Sequence, residues 1–439
     1  MKTIFRCFGL FFTLFMLISC GTQRKASKAI TSTFKDSLYF EQAFAGLAIY
    51  DPVEKKMLYT HNADKYFTPA SNTKLLTFYT GLTVLGDSVP ALKYHVSGDS
   101  LIFRGTGDPS LLNPDLPTSK IMDFLRYRRE CLFYEVPNYT ETYFGPGWSW
   151  DDYDSYYTVE RVAYPIYANR ATFTQGDTVK IPKAYPNFYQ KDLILDSLNL
   201  RKTARLSRKM TENGFFYQSA VRDTAFRQEV PIKYSPHLFV EVLADTLKKE
   251  VGLIREFKKF KGEEKTLYSI PSDSLYKRML KVSDNFLAEQ VLLLSSGVLA
   301  DTLKTRIAID YMKENAFKQL PDEPQWVDGS GLSRYNLETP RNMIKILEMI
   351  TEKIPLEKLL DLLPVGGESG TLKNYYSADV PYIFAKTGSL SNNHSLSGFI
   401  MTKSGRTLIF SFMNSNYTVS TSSLKKGMEG ILLKIRDNY

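Results

Sequence analysis

Residues 68–74 have the sequence Thr68-Pro69-Ala70-Ser71-Asn72-Thr73-Lys74, and this stretch predicts the start of a helix that continues to about Leu85. Proline is favoured at a first helical position, and Thr68 before it can cap the free amides. Apolar residues recur after it at helical spacing, at Leu75, Phe78, Leu82 and Leu85. Because Ser71 and Lys74 are three residues apart, one helical turn places both on the side that carries the apolar residues.

A serine and a lysine in this arrangement suit nucleophilic catalysis. Ser71 lies in the first turn, where the positive end of the helix dipole favours a developing negative charge. Lys74 has apolar neighbours, and desolvation lowers the pKa of a lysine so that its amine can act as a base. The Ser-x-x-Lys spacing alone is a weak signal, because it also occurs at Ser32/Lys35, Ser274/Lys277, Ser422/Lys425 and Ser423/Lys426.

The composition is that of a globular protein with more than one domain. The chain has 439 residues, of which 43% are hydrophobic and 23% charged, and chains of this length usually divide into two or three domains. The net charge of +9 is modest for this length, and no basic block of the kind found in nucleic-acid-binding arms is present. We therefore expect no nucleic-acid partner, whereas a wall polymer or an anionic membrane surface is permitted.

The N-terminus has the features of a secretion signal. Lys2 and Arg6 precede an apolar run at 8–18, which is too short to span a membrane. The run ends in Leu17-Ile18-Ser19-Cys20-Gly21, which resembles the bacterial lipobox, so we predict a lipoprotein signal peptide at 1–20, lipidation of Cys20 and a polar tether at 21–28. The alternative is an ordinary signal peptide that ends near a small residue. Cys131 would be alone in the mature chain, which excludes an internal disulfide.

The rest of the chain predicts an α+β fold with a β-rich insertion. Residues 45–60 predict a strand hairpin, and further strands are predicted at 382–389, 394–402 and 406–413. Helical periodicity predicts helices at 236–251, 274–281, 285–299, 302–315, 339–351, 356–362 and 423–436. First and last strands that pair, with helices between them, give an antiparallel sheet covered by helices. We therefore predict a core domain in two parts, 29–93 and 251–439, and one or more inserted β-rich domains at 94–250.

Two further motifs follow Ser71 and Lys74 in chain order. Ser283-Asp284-Asn285 lies directly before a predicted helix, and Lys386-Thr387-Gly388 lies at the end of the apolar strand 382–385. Each motif is weak alone. Their order, and their placement on a helix start, a loop before a helix and a strand, are those of the Ser-x-x-Lys, Ser-Asp-Asn and Lys-Thr-Gly set of penicillin-interacting serine enzymes.

With these motifs the chain resembles the class C low-molecular-mass penicillin-binding proteins, the D-alanyl-D-alanine carboxypeptidase/endopeptidase family. The resemblance extends from about Gly46 to Asn414 and includes the stretches 105–109, 148–152, 328–334, 363–372 and 385–390. It implies a transpeptidase-like domain of the penicillin-binding-protein and serine β-lactamase type, with the β-rich insert between the first two motifs. The gap of 209 residues between Lys74 and Ser283 (283 − 74) favours a peptidase over a compact β-lactamase.

The resemblance also implies catalytic roles. Ser71 attacks the carbonyl between two D-alanines and forms an acyl-enzyme that water releases, while Lys74 accepts the proton. Ser283 relays a proton to the leaving amine. Asn285 hydrogen-bonds to Lys74 and to the acyl side chain. Which group is the acylation base is disputed for such enzymes, and the sequence does not decide it.

Further roles in the same resemblance concern the substrate. Lys386 and Thr387 hold the terminal carboxylate of the peptide, and Gly388 lets the substrate backbone lie close to the strand. The backbone amides of Ser71 and Ser389 form the oxyanion hole. An acidic residue of the insert receives the amine of the diamino acid of the stem peptide. The positions that match this side-chain pocket are Trp148, Asp151, Tyr156, Leu332, Arg334 and Leu390; the alternative is that the tryptophans are packing residues and the acids a solvated turn.

Other chemistry is weakly supported. The histidines at 61, 95, 237 and 394 have no metal-ligand spacing, and a histidine such as His394 is more often a surface or packing residue. We expect no metal and no cofactor. The expected partners are peptidoglycan stem peptides, β-lactams and, through the lipid, a membrane that is most simply the outer membrane facing the periplasm; the oligomeric state is unknown. A non-catalytic wall-binding or β-lactam-sensing protein is the alternative function, and a β-lactamase is a third.

Overall fold

The computed structural model of the chain describes residues 28, 30–34, 37–176, 181–221, 225–258 and 263–439. The predicted signal peptide, Cys20 and the tether up to residue 27 lie outside the described residues. Within the described ranges, no helix combines the length and the apolar character needed to cross a membrane.

The first sheet confirms the predicted pairing of the first and last strands. It has five antiparallel strands in the order β14-β15-β16-β1-β2. Their bounds are β1 Phe44–Asp51, β2 Lys56–His61, β14 Ile383–Leu390, β15 Asn393–Met401 and β16 Thr407–Ser415. The N-terminal hairpin therefore completes a sheet whose other strands come from the last sixty residues, and β14, which carries Lys386-Thr387-Gly388, lies at its edge.

Helices cover both faces of this sheet, because alternate strand residues point to opposite sides. Ala48 packs with one cluster of helices, whereas Leu47 and Ile49 pack with the C-terminal helix. The helices are α1 Lys74–Val84, α2 Ile121–Arg126, α3 Pro236–Leu247, α4 Ser272–Lys281, α5 Asn285–Ala300, α6 Thr305–Glu314, α7 Pro340–Lys353, α8 Leu356–Leu362 and α9 Thr421–Asn438. Helix α9 lies on the outer face, and α1, α4–α8 form the helical layer on the other.

The start of α1 differs from the prediction. Residues Ala70–Thr73 form one 3-10 turn, and the α-helix begins only at Lys74. The capping position is Pro69 and no side chain caps it, so the predicted cap by Thr68 is wrong. Ala70 has φ of 48°, a left-handed conformation that an alanine adopts only under constraint from its surroundings.

Three further sheets form the inserted region. The largest is a five-stranded mixed sheet in the order β12-β5-β4-β3-β13, and the other two have the orders β8-β10-β9 and β11-β6-β7. Their strands are β3 Ser88–Ser97, β4 Ser100–Gly105, β5 Cys131–Glu135, β6 Arg170–Gln175, β7 Lys183–Tyr185, β8 Leu193–Arg201, β9 Arg205–Arg208, β10 Phe215–Ala220, β11 Phe226–Pro231, β12 Val251–Ile254 and β13 Lys265–Pro271. Most of their buried residues share a hydrophobic core with α2 and α3, whereas Val89 of β3 and Ile270 of β13 pack in the core around α1.

The mixed sheet extends beyond the predicted insert, 94–250, at both ends. Strand β3 begins at Ser88, and β13, which pairs with it, ends at Pro271. Both strands are hydrogen-bonded into this sheet, so we assign them to the insert. We propose 88–271 as the limits of the inserted region, with 29–87 and 272–439 as the two parts of the core domain.

Candidate active site

The hydroxyl of Ser71 and the amine of Lys74 are in contact. Lys74 Nζ donates to Ser71 Oγ over 2.9 Å, to Asn285 Oδ1 over 2.6 Å and to the Ser330 carbonyl over 2.7 Å. The 3-10 turn followed by α1 brings Ser71 and Lys74 onto one side, as the spacing predicted. Asn285 comes from the start of α5, so the structure brings two of the three motifs together at one amine.

The environment of Lys74 increases the fraction of its amine that is neutral. The side chain is fully buried, and this burial lowers its pKa to about 8, although the charges of Asp328, Asp284 and Glu289 oppose the decrease. No carboxylate makes an ion pair with Lys74 within the described part of the chain. A lysine with this pKa is neutral in about a tenth of the molecules at pH 7, so it can accept a proton.

The third motif joins the same site through Ser283. Lys386 Nζ donates to Ser283 Oγ over 2.8 Å and to the Thr387 carbonyl over 2.7 Å. Burial, and then the charge of Lys74, lower the pKa of Lys386 well below its usual range. Ser283 has φ of 63°, a strained conformation directly before α5, whose start Asp284 caps by accepting from the Leu287 amide.

Two glycines clamp the backbone of the nucleophile segment. A Cβ atom at Gly331 would lie 1.9 Å from the Ala70 carbonyl oxygen, and one at Gly388 would lie 2.3 Å from the Pro69 carbonyl oxygen and 2.9 Å from the Ser71 nitrogen. No other residue permits such approach. Strand β14 therefore passes beside the Ser71 amide, and Gly388 is required by this packing, whatever its role towards substrate.

The hydroxyl of Ser389 is held by His394, a residue whose part in the site the sequence did not predict. His394 Nδ1 lies 2.7 Å from Ser389 Oγ across the β14–β15 hairpin, and the imidazole is fully buried. Burial and the charge of Lys425 lower the pKa of His394 to about 3, although a hydrogen bond with the Gly388 backbone opposes the decrease, so the ring is neutral. Its Nε2 has no partner among the described residues, which favours the tautomer with the proton on Nδ1 and leaves the Ser389 proton free for the cleft.

Glu289 and Ser330 are also part of the site and were missed. Glu289 Oε1 accepts from the Ser330 amide over 2.7 Å, and the Ser330 carbonyl accepts from Lys74. Burial and the nearby charge of Asp328 raise the pKa of Glu289 to about 7. Glu289 lies one helical turn after Asn285, a spacing that places both on one face of α5. This spacing in the sequence could have identified Glu289 as a residue of the site.

Trp148 joins the insert to this network. Its Nε1 donates to Asp328 Oδ2 over 2.8 Å, and the same carboxylate accepts from the amides of Gly331 and Ser333. Trp148 also lines the cleft. It therefore has a packing role, which was the alternative interpretation, and it faces the cleft as well.

The site opens into a cleft of about 1110 Å³ between the core domain and the insert. Of the predicted side-chain pocket, Trp148, Tyr156, Leu332, Arg334 and Leu390 line this cleft. Asp151 does not: it is exposed, and its neighbour Asp152 lines the cleft instead. Asp152 Oδ1 accepts from the Tyr157 hydroxyl over 2.7 Å. The described residues contain no group of three His, Cys, Asp or Glu that could hold a metal ion.

Comparisons with known proteins identify the family. The family described as the D-Ala-D-Ala carboxypeptidase 3 (S13) family matches residues 26–436. The chain belongs to this family. Within it, the chain is 26% identical to a D-alanyl-D-alanine carboxypeptidase of an Actinomadura species over 428 residues, covering 86% of this chain and 79% of that protein. It is 25% identical to the penicillin-sensitive carboxypeptidase A of Dictyostelium discoideum over 401 residues, covering 78% and 76%.

A third relative matches over a shorter stretch. D-alanyl-D-alanine carboxypeptidase DacB of Haemophilus influenzae is 31% identical over 178 residues, which are 36% of this chain and 35% of that relative. A similarity over almost the whole chain is found with a solved structure. The crystal structure of penicillin binding protein 4 (dacB) of Haemophilus influenzae superposes with a TM-score of 0.72 at 20% identity, covering 92% of this chain and 97% of that one. The predicted α+β fold of the penicillin-binding-protein type is thereby confirmed.

Proposed function

We propose that this S13-family hydrolase is a serine-type D-alanyl-D-alanine carboxypeptidase and endopeptidase that acts on peptidoglycan stem peptides through an acyl-enzyme on Ser71. The observation that carries the proposal is the bond of buried Lys74 to both Ser71 and Asn285, at a cleft lined by Ser71, Asn285 and Ser283, the residue to which Lys386 donates. Three segments far apart in the chain thus meet at one site: the first supplies the nucleophile and the base, the second Ser283 and Asn285, and the third the amine of Lys386. Relatives named carboxypeptidases support the substrate class.

Acylation follows from the geometry. Neutral Lys74 takes the proton of Ser71 Oγ while this oxygen attacks the carbonyl carbon between the two D-alanines. The negative charge on the carbonyl oxygen would be held by the amides of Ser71 and Ser389, because β14 passes beside Ser71. The C–N bond then breaks, the leaving amine receives a proton through Ser283, and the serine ester remains.

Deacylation returns the enzyme to its starting state. A water molecule gives a proton to Lys74 and attacks the ester carbonyl, the C–O bond to Ser71 breaks, and the serine oxygen regains a proton. Lys386 and Thr387 would hold the carboxylate that follows the scissile bond. A carboxylate that arrives next to Lys386 favours the charged amine, which offsets the burial and the repulsion from Lys74 that lower its pKa.

The same chemistry accounts for inhibition by β-lactams, whose strained amide acylates a serine. A solved structure of penicillin binding protein 4 of Haemophilus influenzae, which has this fold with a TM-score of 0.68, contains a β-lactam. Enzymes of peptidoglycan act outside the cytoplasm. We further propose that the mature protein is held in the periplasm by a lipid on Cys20, in the outer membrane, a proposal that rests on the sequence of residues 1–21 alone.

Release of free D-alanine from a purified muropentapeptide tests the proposal. We expect release by the wild type and none by Ser71→Ala. A matched control is Ser274→Ala, because Ser274 and Lys277 have the same Ser-x-x-Lys spacing, but Lys277 pairs with Asp361 and neither residue lines the cleft. Covalent labelling by penicillin without D-alanine release would indicate a β-lactam sensor, and rapid turnover of the β-lactam would indicate a β-lactamase.

A further inference from the structure

The cationic side chains that line the cleft fall into two groups. Three arginines are neutralised by carboxylates: Arg170 pairs with Asp115 and Glu229, Arg227 with Glu229, and Arg278 with Asp115 and Asp284. Arg334 and Lys425 line the end of the cleft near β14, and neither makes an ion pair with a described residue. The resemblance assigns Arg334 to the side-chain pocket, whereas Lys425 has no role so far.

Lys425 is fixed in place without a carboxylate. It lies on α9, is partly buried, and its ammonium sits 4.0 Å from the centre of the Tyr375 ring. Glu429, one turn further along α9, lies against the backbone of Tyr376 and does not compensate the charge. Burial alone shifts the pKa of Lys425, downwards, which agrees with a cation that has no anionic neighbour.

The position of Lys425 relative to the reacting bond follows from its neighbours. The Thr387 hydroxyl donates to Thr371 Oγ1 over 2.7 Å, and Tyr375, which holds Lys425, lies four residues after Thr371. The charge of Lys425 also reaches His394, behind Ser389. Lys425 therefore lines the cleft together with Thr371, Thr387 and Ser389, the residues next to which the proposed mechanism places the carboxylate of the leaving group.

The chemistry of the leaving group then distinguishes two substrates. A terminal D-alanine has one carboxylate, and the proposed mechanism already pairs it with Lys386 and Thr387. A stem peptide that leaves from a cross-link carries the equivalent carboxylate and at least one more, at its own C-terminus. A cation with no partner inside the cleft can pair with that second anion.

We propose that Lys425 forms a leaving-group subsite that binds the additional carboxylate of a cross-linked stem peptide and so favours endopeptidase action. This inference rests on the proposed function, which it deepens by naming the substrate that the end of the cleft selects. The subsite is specific for charge and not for shape, since a single partly exposed ammonium fixes little geometry.

The test compares two substrates and three variants. The ratio of kcat/KM for a cross-linked muropeptide dimer to kcat/KM for a monomeric pentapeptide is measured for the wild type, Lys425→Gln, Lys425→Arg and Lys426→Gln. We expect Lys425→Gln to lower this ratio about fivefold to tenfold, and Lys425→Arg to keep it. Lys426→Gln is the matched control, because Lys426 is the exposed neighbour on the same helix and does not line the cleft.

A change in the substrate gives an independent test. Amidation of the C-terminal carboxylate of the leaving stem peptide should lower the rate at which the wild type cleaves the dimer to the rate of Lys425→Gln, and it should not lower the rate of Lys425→Gln further. An unchanged ratio, an equal loss on both substrates, or a wild type that cleaves the pentapeptide but not the dimer would each overturn the subsite. Failure of the proposed function gives a different result: the wild type would then release no D-alanine from the pentapeptide in a Ser71-dependent reaction.

Discussion

Lys74 Nζ and Asn285 Oδ1 lie 2.6 Å apart although 211 positions separate the two residues in the chain. The amide nitrogen of the same Asn285 donates to the Tyr157 carbonyl of the insert over 3.0 Å. One side chain thus joins the nucleophile helix, α5 and the inserted region. The long insertion between the first two motifs does not separate them in space, and it supplies part of the cleft wall.

The first prediction concerns Lys74. Lys74→Ala should abolish acylation by penicillin at neutral pH, because Ser71 then has no base. In the wild type, the neutral amine is the active form and its pKa is about 8. The second-order rate constant of acylation should therefore rise about tenfold per pH unit below pH 8 and level off above it. Near-normal labelling of the variant, or a rate that falls as pH rises towards 8, would remove Lys74 from the mechanism.

The second prediction concerns His394. His394→Leu removes the partner of the Ser389 hydroxyl and should lower the rate constant of acylation about twofold to tenfold, the value of one hydrogen bond. His394→Asn should retain most of the rate, because its amide can occupy the position of Nδ1. Penicillin labelling measures both, and circular dichroism confirms that the variants are folded. Equal rates for the Leu variant and the wild type would show that His394 only fills space.

The third prediction separates two adjacent acids. Asp152 lines the cleft and Asp151 does not, although the sequence pointed to Asp151. Asp152→Asn should lower kcat/KM about fivefold for peptides with a free diamino-acid amine, and much less for peptides in which this amine is acetylated. Asp151→Asn is the matched control with the same loss of charge. A selective loss in Asp151→Asn, and none in Asp152→Asn, would restore the original assignment.

The fourth prediction concerns stability. Glu338 is fully buried, and this burial raises its pKa from 4.5 to about 8. Between these values the folded chain holds a proton that the unfolded chain has lost, so the free energy of unfolding should fall as pH rises. Glu338→Gln removes the titration and keeps an oxygen that can accept from Asn342. Urea unfolding at pH 5 and pH 8 should show that the free energy of unfolding decreases less with pH in the variant than in the wild type. If the difference between the two proteins is the same at both pH values, Glu338 is not the group that titrates.

Local patterns predicted most of the secondary structure. Helix α8 has the predicted bounds, 356–362, and the bounds of β14–β16 agree with the predicted ones to within two residues. These elements were predictable because their own sequences show a clear pattern of apolar residues. The motif order also predicted that Ser71, Ser283 and Lys386 would meet. The 3-10 turn at Ala70–Thr73 was not predicted; the close approach of Gly331 and Gly388 to this segment brings together parts of the chain that no local pattern relates.

The contact between His394 and Ser389 could have been predicted from the sequence, but the burial of His394 could not. The register of the hairpin pairs Leu390 with Asn393, which leaves Ser391 and Asn392 as a two-residue turn and sets Ser389 opposite His394. A count across the tight turn would have found the pair. That the histidine is buried and neutral depends on α9 covering this end of the sheet, which no local pattern shows.

The site of acylation tests the central claim most directly. After reaction with benzylpenicillin, trypsin should release residues 66–74 as one peptide, since it cleaves after Lys65 and Lys74. Fragmentation of this peptide in a mass spectrometer should place one penicilloyl group on Ser71, and Ser71→Ala should carry none. An adduct on another residue, or no adduct at all, would contradict the account of Ser71 as the acyl carrier of a cleft built by the three motifs.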